Sequence, residues 1–238
     1  MVELFTSEGC SSCPPADALL AGFADDAERT GHRIFALSFH VDYWNYLGWK
    51  DPFSRPEFSE RQQRYARALD GQVYTPQMIV NGAVGFIGSQ SAQAHAALAS
   101  ALAQPATAAI AVTSVTRAPV SAASARASWR VGYKVTGHRG GDILNLALVE
   151  RGLSVPVRRG ENGGRTLRHE NVVRAFRNVR LDAAGSGSLE LEMPEGVAAD
   201  RAFLIAYAQG GESLAVLGAA RAGLRDSPPS PPSSPSVP

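Results

Sequence analysis

The chain of 238 residues has only two cysteines, which excludes folds held together by several disulfides. The two lie close together, at Cys10 and Cys13. A disulfide across so short a loop removes little freedom from the unfolded chain, so it would stabilise the fold only weakly. A closed structural zinc site usually needs four ligands, and the sequence has no second Cys-x-x-Cys pair. We therefore expect the pair to carry chemistry.

The sequence also lacks a strong charge of either sign and a long apolar run. Its formal net charge is +1, which argues against a dedicated nucleic-acid-binding protein. No apolar stretch reaches membrane-spanning length, so no membrane span is predicted. The N-terminus shows no basic segment followed by an apolar stretch and a cleavage site. The chain is therefore either cytoplasmic or has lost its leader.

The two cysteines lie between a predicted strand and a predicted helix. The strand is Val2–Thr6, and apolar residues at helical spacing predict the helix from Ala16 to about Arg29. A Cys-x-x-Cys pair at a turn from strand to helix is typical of a dithiol redox centre. Because a helix N-terminus stabilises a thiolate, Cys10 is the candidate attacking thiol and Cys13 the candidate resolving thiol.

The first 103 residues are predicted to form an α/β domain. After the first helix, the pattern predicts a strand at Arg33–Val41 and a helix at Glu57–Leu69. A hairpin of the strands Gln77–Val80 and Ala83–Ile87 follows, and then a helix at Ser89–Leu102. Asn81-Gly82 between apolar runs is a strong hairpin signal. If the first two strands are parallel and the third antiparallel, the cysteines, the end of the second strand and Thr75-Pro76 meet at one edge of the sheet.

From residue 104 to 223, apolar and polar residues alternate with period two. The candidate strands are Ala109–Val115, Trp129–Val135, Leu144–Leu148, Val172–Leu181, Leu189–Met193, Ala202–Ala208 and Leu214–Ala220, with turn signals between them that include Gly160–Gly164. Short strands at this spacing predict an antiparallel, sandwich-like β domain. Residues 224–238 form a tail rich in proline and serine, whose composition predicts disorder.

Four motifs together resemble a bacterial family of thioredoxin-like proteins that are often secreted and whose function is unknown. They are residues 2–17 with the Cys-Ser-Ser-Cys-Pro-Pro run, 38–44, 47–53 and 74–77, and the resemblance runs to about residue 222. It implies a thioredoxin-like domain over residues 1–103, followed by an all-β domain. It also implies a redox-type site without an organic cofactor, and a periplasmic or secreted location. Since the chain shows no leader, a cytoplasmic location stays open.

The resemblance assigns substrate docking to Thr75 and Pro76. In thioredoxin-like domains the matching proline is cis and lies behind the disulfide, while the backbone of the preceding residue pairs with a bound peptide. Trp44, in an aromatic loop beside the same edge, is the third candidate substrate-binding residue. The alternative is that the aromatic residues of this loop pack under the loop itself.

Three ionisable residues are candidate modulators of the two thiols. His40, at the end of the second strand, could exchange protons with a thiol or lower its pKa as a cation, and Asp42 could orient it. Glu3, if buried on the first strand, could accept the Cys13 proton. The remaining histidines are predicted to be surface residues; they are His32, His95, His138 and His169.

The sequence thus predicts a thiol–disulfide oxidoreductase that uses Cys10 and Cys13, with protein or small-molecule thiols and disulfides as partners. No metal is required by this reading. The Ser11-Ser12 pair between the cysteines carries no charge, so the direction of electron transfer stays open. The alternative is a thioredoxin-like copper-binding or metallochaperone module using Cys10, Cys13 and His40. Against it, the cysteines of such modules are usually separated by three residues, and these by two.

Overall fold

The computed structural model describes residues 1–118 and 128–224. Of the tail predicted at residues 224–238, Leu224 is described and buried in an apolar core, and the rest lies outside the described residues. The N-terminal elements are β1 (Val2–Thr6), α1 (Pro14–Thr30), β2 (Ala36–His40), a short 3-10 helix (Asn45–Leu47), α2 (Pro56–Ala68), β3 (Gln77–Val80), β4 (Val84–Ile87) and α3 (Ser91–Leu102). They follow the predicted order, and the fold is mixed α/β and rich in strands.

The C-terminal part of the described chain is built from strands. They are β5 (Ala109–Ala118), β6 (Ser128–Thr136), β7 (Ile143–Glu150), β8 (Leu153–Pro156), β9 (Thr166–His169), β10 (Val172–Arg180), β11 (Ser186–Glu192), β12 (Ala202–Gln209) and β13 (Val216–Gly223). The two short strands β8 and β9 pair with each other and were not predicted from the sequence.

A single eight-stranded sheet runs through both parts of the chain, in the order β13-β12-β7-β10-β2-β1-β3-β4. β1 and β2 are parallel, so Thr6 pairs with His40 at their carboxyl ends. β3 is antiparallel to β1, and its first residue, Gln77, pairs with Phe5. The predicted convergence of these three strand ends at one edge is confirmed.

The two parts of the sheet join through a short parallel contact between β2 and β10. Val172 pairs with Ser38 there, and the Ser38 N–H donates to the carbonyl oxygen of Asn171 at 2.9 Å. The Asn171 side chain adds a second bond, from Nδ2 to the carbonyl oxygen of Ala36 at 3.0 Å. The backbone carbonyl group and the side-chain amide of Asn171 therefore both help to continue the sheet across the junction.

Apolar residues of β1 alternate between two cores because successive strand side chains point to opposite faces. Leu4 packs with Leu20 of α1 and Leu98 of α3, whereas Phe5 packs with Phe39 and Tyr65 on the side of α2. A separate three-stranded sheet, β11-β6-β5, covers one face of the C-terminal part of the large sheet across a third apolar core. In the described part of the chain, no helix is long and apolar enough to span a membrane.

The core on the α2 side contains a buried ion pair between Arg61 and Glu3. Arg61 Nε and Nη2 donate to the two Glu3 oxygens at 2.6 and 2.9 Å, and the side chains are 3% and 0% exposed. The Tyr65 hydroxyl also donates to Glu3, at 2.7 Å. Burial alone would lower the pKa of Arg61, but the charge of Glu3 raises it well above its usual value. Glu3 therefore keeps the Arg61 guanidinium in its charged form.

The same guanidinium connects α2 to the C-terminal strands. Arg61 Nη2 donates to Gln209 Oε1 of β12 at 2.9 Å, and Asn145 of β7 donates to the same oxygen at 2.9 Å. The Arg61 guanidinium carbon lies 5.0 to 5.6 Å from the centroids of four aromatic rings, Phe39, Tyr65, Phe176 and Tyr207. Such cation–π contacts are strongest where the cation is desolvated, as here.

Replacing Arg61 by methionine should therefore lower the free energy of unfolding by about 3–5 kcal/mol, because Glu3 would remain as an unpaired buried charge. The double variant Arg61→Met/Glu3→Gln should recover part of this loss, since no buried charge then remains. Urea unfolding measures both values. The control Arg130→Met breaks the exposed pair with Glu190 and should cost less than about 1 kcal/mol. An Arg61→Met loss no larger than the control would contradict the role given to the buried pair.

Candidate functional site

The sulfur atoms of Cys10 and Cys13 lie at disulfide-bonding distance, with their Cα atoms 5.5 Å apart. The pair occupies the loop between β1 and α1, and Cys13 is the residue that caps the N-terminus of α1. Both side chains are fully buried, whereas Ser11 and Ser12 between them are exposed. The Ser12 hydroxyl lies 3.3 Å from Cys10 Sγ. An external thiol can therefore reach a sulfur only after a local movement of this loop.

Hydrogen bonds within the cysteine loop, and one to Asp51, hold this loop in place. The Cys10 N–H donates to the Ser7 carbonyl oxygen at 3.2 Å, and the Gly9 N–H donates to the Ser7 hydroxyl oxygen at 3.1 Å. The Glu8 N–H donates to Asp51 Oδ2 at 2.9 Å. The Cβ of a residue larger than glycine at position 9 would come within 3.1 Å of Trp44 Cβ. The tight contact with the aromatic loop therefore explains the glycine.

The connection between β8 and β9, residues 157–165, lies against the cysteine loop, and we call it the strap. Buried Asn162 donates from Nδ2 to the carbonyl oxygens of Glu8 and Cys10, both at 2.9 Å. Exposed Glu161 accepts through Oε2 from the N–H of Ser11 at 2.9 Å and from its hydroxyl at 2.7 Å. Arg165 Nη1 donates to Asn162 Oδ1 at 2.7 Å. The site is thus built from both parts of the chain.

Beneath the cysteine loop lies a buried cluster of acids and histidines. His40 Nδ1 is 2.7 Å from Asp51 Oδ2, and His169 Nε2 is 3.2 Å from Glu8 Oε1. The two imidazole centroids are 4.8 Å apart. Trp49 Nε1 donates to the other oxygen of Glu8 at 2.6 Å. All four ionisable side chains are buried, so each depends on these partners rather than on water.

Two expectations about this cluster were wrong. His169 is 2% exposed and belongs to the cluster, although the sequence predicted a surface residue. It was missed because β9, which carries it, is short and polar. Asp42 does not orient His40; it accepts the Ser59 hydroxyl at 2.5 Å, and Asp51 is the partner of His40 instead.

Asp17 extends the cluster towards the disulfide. It lies one helical turn after Cys13, and its N–H donates to the Cys13 carbonyl oxygen at 3.1 Å. Its carboxylate is 4.0 Å from His169 Nδ1. Burial raises the pKa of Asp17 above its usual value, and the nearby charges of His169 and His40 oppose that rise. This carboxyl group therefore holds its proton more readily than an exposed aspartate.

Charge interactions also shift the pKa values of the His40–Asp51 pair. Burial alone would lower the pKa of His40, but Asp51, Asp17 and Glu8 together raise it above its usual value. Burial alone would raise the pKa of Asp51, but His40 and the two backbone N–H groups bonded to the carboxylate lower it. The pair is therefore an imidazolium and a carboxylate at mildly acidic pH.

Three ring or carboxyl atoms of the cluster have no hydrogen-bond partner among the described residues: His40 Nε2, His169 Nδ1 and Asp17 Oδ1. Buried polar atoms without partners are uncommon, and titratable groups with shifted pKa values concentrate at functional sites. In the described ranges, no group of three His, Cys, Asp or Glu side chains is arranged to hold a metal ion. The arrangement favours proton exchange next to the disulfide.

The three candidate docking residues lie close to one another beside the cysteine loop. Trp44 Nε1 donates to the Thr75 hydroxyl oxygen at 2.7 Å, and the Thr75–Pro76 peptide bond is cis, as the resemblance implied. A Cβ at Gly88 would come within 3.1 Å of Ala16 Cβ in the first turn of α1 and 3.3 Å of Pro76 Cβ. Trp44, Thr75 and Pro76 are thus brought together near the start of α1. Glu3 is not, because Arg61 holds it inside the core.

Comparison with known proteins gives a family but no activity. A family model described as Protein of unknown function (DUF1223) matches residues 1–209. A protein from Agrobacterium tumefaciens, known from a crystal structure, is 26% identical to this chain in sequence. The two structures superpose with a TM-score of 0.66, and the match covers 95% of each chain. HBP35 of Porphyromonas gingivalis is 14% identical, with a TM-score of 0.61, covering 99% of this chain and 77% of that chain. At that identity the second similarity shows the fold alone. No curated protein matches the chain.

The His40–Asp51 pair should make stability depend on pH. Because the pKa of His40 is raised in the folded state, its contribution is fully present below the unfolded value of about 6.5 and is lost as pH rises through the folded pKa. His40→Gln should therefore destabilise the protein more at pH 5.5 than at pH 9, by about 1.4 kcal/mol for each unit of the pKa rise. Urea unfolding across this range measures the difference.

The matched control is His32→Gln, since His32 is exposed. In the unchanged chain and in this control, Asp51 stays ionised over the same pH range because its pKa is lowered. Glu8, Asp17 and His169, which also surround the His40 imidazole, are left unsubstituted in both variants. A cost of His40→Gln that is equal at the two pH values would show that the pair is not charged in the folded protein.

Proposed function

We propose that this chain, which belongs to the DUF1223 family of proteins of unknown function, is a thiol–disulfide oxidoreductase that acts through Cys10 and Cys13. The observation that carries the proposal is the Cys-x-x-Cys pair at disulfide-bonding distance where α1 begins. Free N–H groups and the helix dipole stabilise a thiolate at such a position. The buried cluster of acids and histidines beside the pair supports the same chemistry.

The order of elements also supports a thioredoxin-like domain over residues 1–103, with the C-terminal β domain, residues 104–223, completing the site. β1, α1 and β2 form a parallel strand–helix–strand unit, and β3, β4 and α3 follow as a hairpin and a helix. The cysteines follow the first strand of this arrangement. The strap of the C-terminal part then covers the backbone of the cysteine loop.

In the proposed reaction, the Cys10 thiolate attacks one sulfur of a substrate disulfide and releases the other sulfur as a thiolate. The Cys13 thiolate then attacks Cys10 Sγ, forms the intramolecular disulfide and releases the second substrate thiolate. The substrate gains two electrons and the protein loses two, and the reverse sequence oxidises a substrate dithiol. The nearby Ser12 hydroxyl can donate to the Cys10 thiolate, which supports Cys10 as the attacking group.

We assign proton handling to the buried cluster rather than to Glu3 or Asp42. Glu3 is bonded to Arg61 inside the core, and Asp42 is bonded to Ser59. Asp17 lies one helical turn from Cys13. One oxygen of Asp17 and one ring nitrogen of His40 have no hydrogen-bond partner among the described residues, and each group feels the charge of the other. Protons that the thiols release or take up can therefore be exchanged here.

Thr75, Pro76 and Trp44 are proposed to dock the substrate, which we take to be a protein or small-molecule disulfide or dithiol. A periplasmic or secreted setting, as the family resemblance implies, would suit disulfide chemistry. A copper site of Cys10, Cys13 and His40 has less support, because the described residues offer no group of three ligands arranged to hold a metal.

The test of this function is to trap its covalent intermediate. In Cys13→Ser, the Cys10 thiolate can attack a disulfide substrate but cannot be resolved, so a mixed disulfide should accumulate and be visible by intact mass under non-reducing conditions. In Cys10→Ser, adduct formation should be at least tenfold slower, because the Ser12 hydroxyl that can support a thiolate lies beside Cys10 Sγ. Equal adduct yields in the two variants would contradict the assignment of the attacking thiol, and no adduct in either would contradict the function.

Trp44→Phe tests the proposed docking side. The variant keeps an aromatic ring but removes the donor to Thr75, so Thr75 loses its positioning bond. We expect exchange with a folded protein disulfide to slow by about threefold to tenfold, the value of one hydrogen bond, while exchange with oxidised glutathione changes little. Trp49→Phe is the comparison, since it removes an indole donor to Glu8 of the buried cluster rather than to Thr75. Equal slowing with both substrates would argue against docking on the Thr75 side.

A further inference from the structure

The strap places an ionised carboxylate beside the proposed attacking cysteine. Glu161 Oε2 accepts both polar hydrogens of Ser11, the residue that follows Cys10 in the chain. These bonds, the backbone N–H first, lower the pKa of Glu161, so the group is anionic at neutral pH. Asn162, the next residue of the strap, is buried and anchored to the Cys10 carbonyl oxygen, which fixes where Glu161 lies.

A carboxylate at this position opposes a neighbouring thiolate in two ways. Its negative charge repels the negative charge of a thiolate on Cys10, the residue before Ser11. It also occupies the Ser11 N–H, a backbone donor next to Cys10 that could otherwise stabilise a thiolate. The two prolines after Cys13 remove further N–H groups from the first turn of α1, so each remaining donor matters more.

We infer that Glu161 is a positioning residue that disfavours the Cys10 thiolate and thereby favours the disulfide form of the pair. This inference rests on the proposed function and deepens it, because it sets the direction in which the site tends to pass electrons. Reduction of the disulfide by an external dithiol adds two electrons and two protons. At pH values where the Cys10 thiol would otherwise lose its proton to solvent, Glu161 keeps the thiol protonated. The reduced form of the pair is then less stable relative to the disulfide.

Other charges face the same cysteine and must stay constant in a test. On the buried side these are Glu8, Asp17, His40, His169 and Asp51, which pair among themselves. The cations on the strap are Arg158, Arg159 and Arg165, of which Arg165 donates to Asn162 rather than to Glu161. Glu161 is thus the group whose charge can be removed without breaking the buried cluster.

The experiment compares Glu161→Gln with the unchanged chain, both in the Cys13→Ser background so that Cys10 is the single thiol. Glutamine keeps an oxygen that can accept from Ser11 but carries no charge. The Cys10 pKa, read from the pH dependence of iodoacetamide alkylation, should fall by about half a unit to one unit. The fall should shrink in 1 M salt, where the Debye length is only about 3 Å.

With both cysteines present, Glu161→Gln should shift the equilibrium with glutathione towards the dithiol by about threefold to tenfold above the Cys10 pKa. A tenfold change corresponds to about 30 mV for a two-electron couple. Glu190→Gln is the matched control, because Glu190 is an exposed acid on β11 paired with Arg130, outside the strap. Its variant should leave both readouts unchanged.

A Cys10 pKa in Glu161→Gln that equals that of the Glu190→Gln control would overturn the inference. The pKa readout needs no turnover, so the two proposals fail separately. A shifted pKa in a protein that exchanges with no disulfide supports the role of Glu161 and overturns the oxidoreductase function. Normal disulfide exchange with an unshifted Cys10 pKa supports the oxidoreductase function and overturns the role of Glu161.

Discussion

The buried ion pair of Glu3 and Arg61 is the interaction on which the arrangement of the two parts of the chain depends. Two charges removed from water are tolerated only when every donor and acceptor is met in good geometry. Here the partners come from β1, α2 and, through Gln209, from β12. Since Gln209 must reach Arg61, the C-terminal strands cannot slide along the N-terminal part without leaving a buried charge unpaired.

That constraint also places the strap. The strands β8 and β9 precede β10, and β10 is fixed beside β2 by the pairing of Val172 with Ser38. With the sheet in this register, Asn162 reaches the carbonyl oxygens of the cysteine loop, and His169 reaches Glu8. The site is therefore not contained in the N-terminal part alone. Its backbone and its electrostatics are completed by residues about 150 positions later in the chain.

Local sequence patterns predicted those features that depend on neighbouring residues. The strand Val2–Thr6, the helix after the cysteines and the hairpin around Asn81-Gly82 each have a period or a turn signal within a few residues, and each is present. The position of Cys10 and Cys13 between strand and helix follows from the same patterns. So does the meeting of His40 with the end of β1, once the strands are taken as parallel.

The features that sequence patterns missed depend on long-range contacts. β8 and β9 are four residues each, too short for a period to stand out, and so His169 was taken for a surface residue. The partner of Glu3 lies 58 positions away, and the partner of His40 is an aspartate in an irregular loop. The large sheet is continuous because one residue of β2 pairs with one residue of β10, and no periodicity in the sequence predicts this pairing.

The central claim is that Cys10 and Cys13 form a reversible redox couple in the folded protein, and its potential tests that claim most directly. The intact chain would be equilibrated with glutathione buffers of graded potential, alkylated and weighed. The account predicts a single two-electron transition between about −270 mV, the thioredoxin value, and about −120 mV, the value of a strong oxidase. A pair that stays oxidised in the most reducing buffer, or reduced in the most oxidising one, would contradict it.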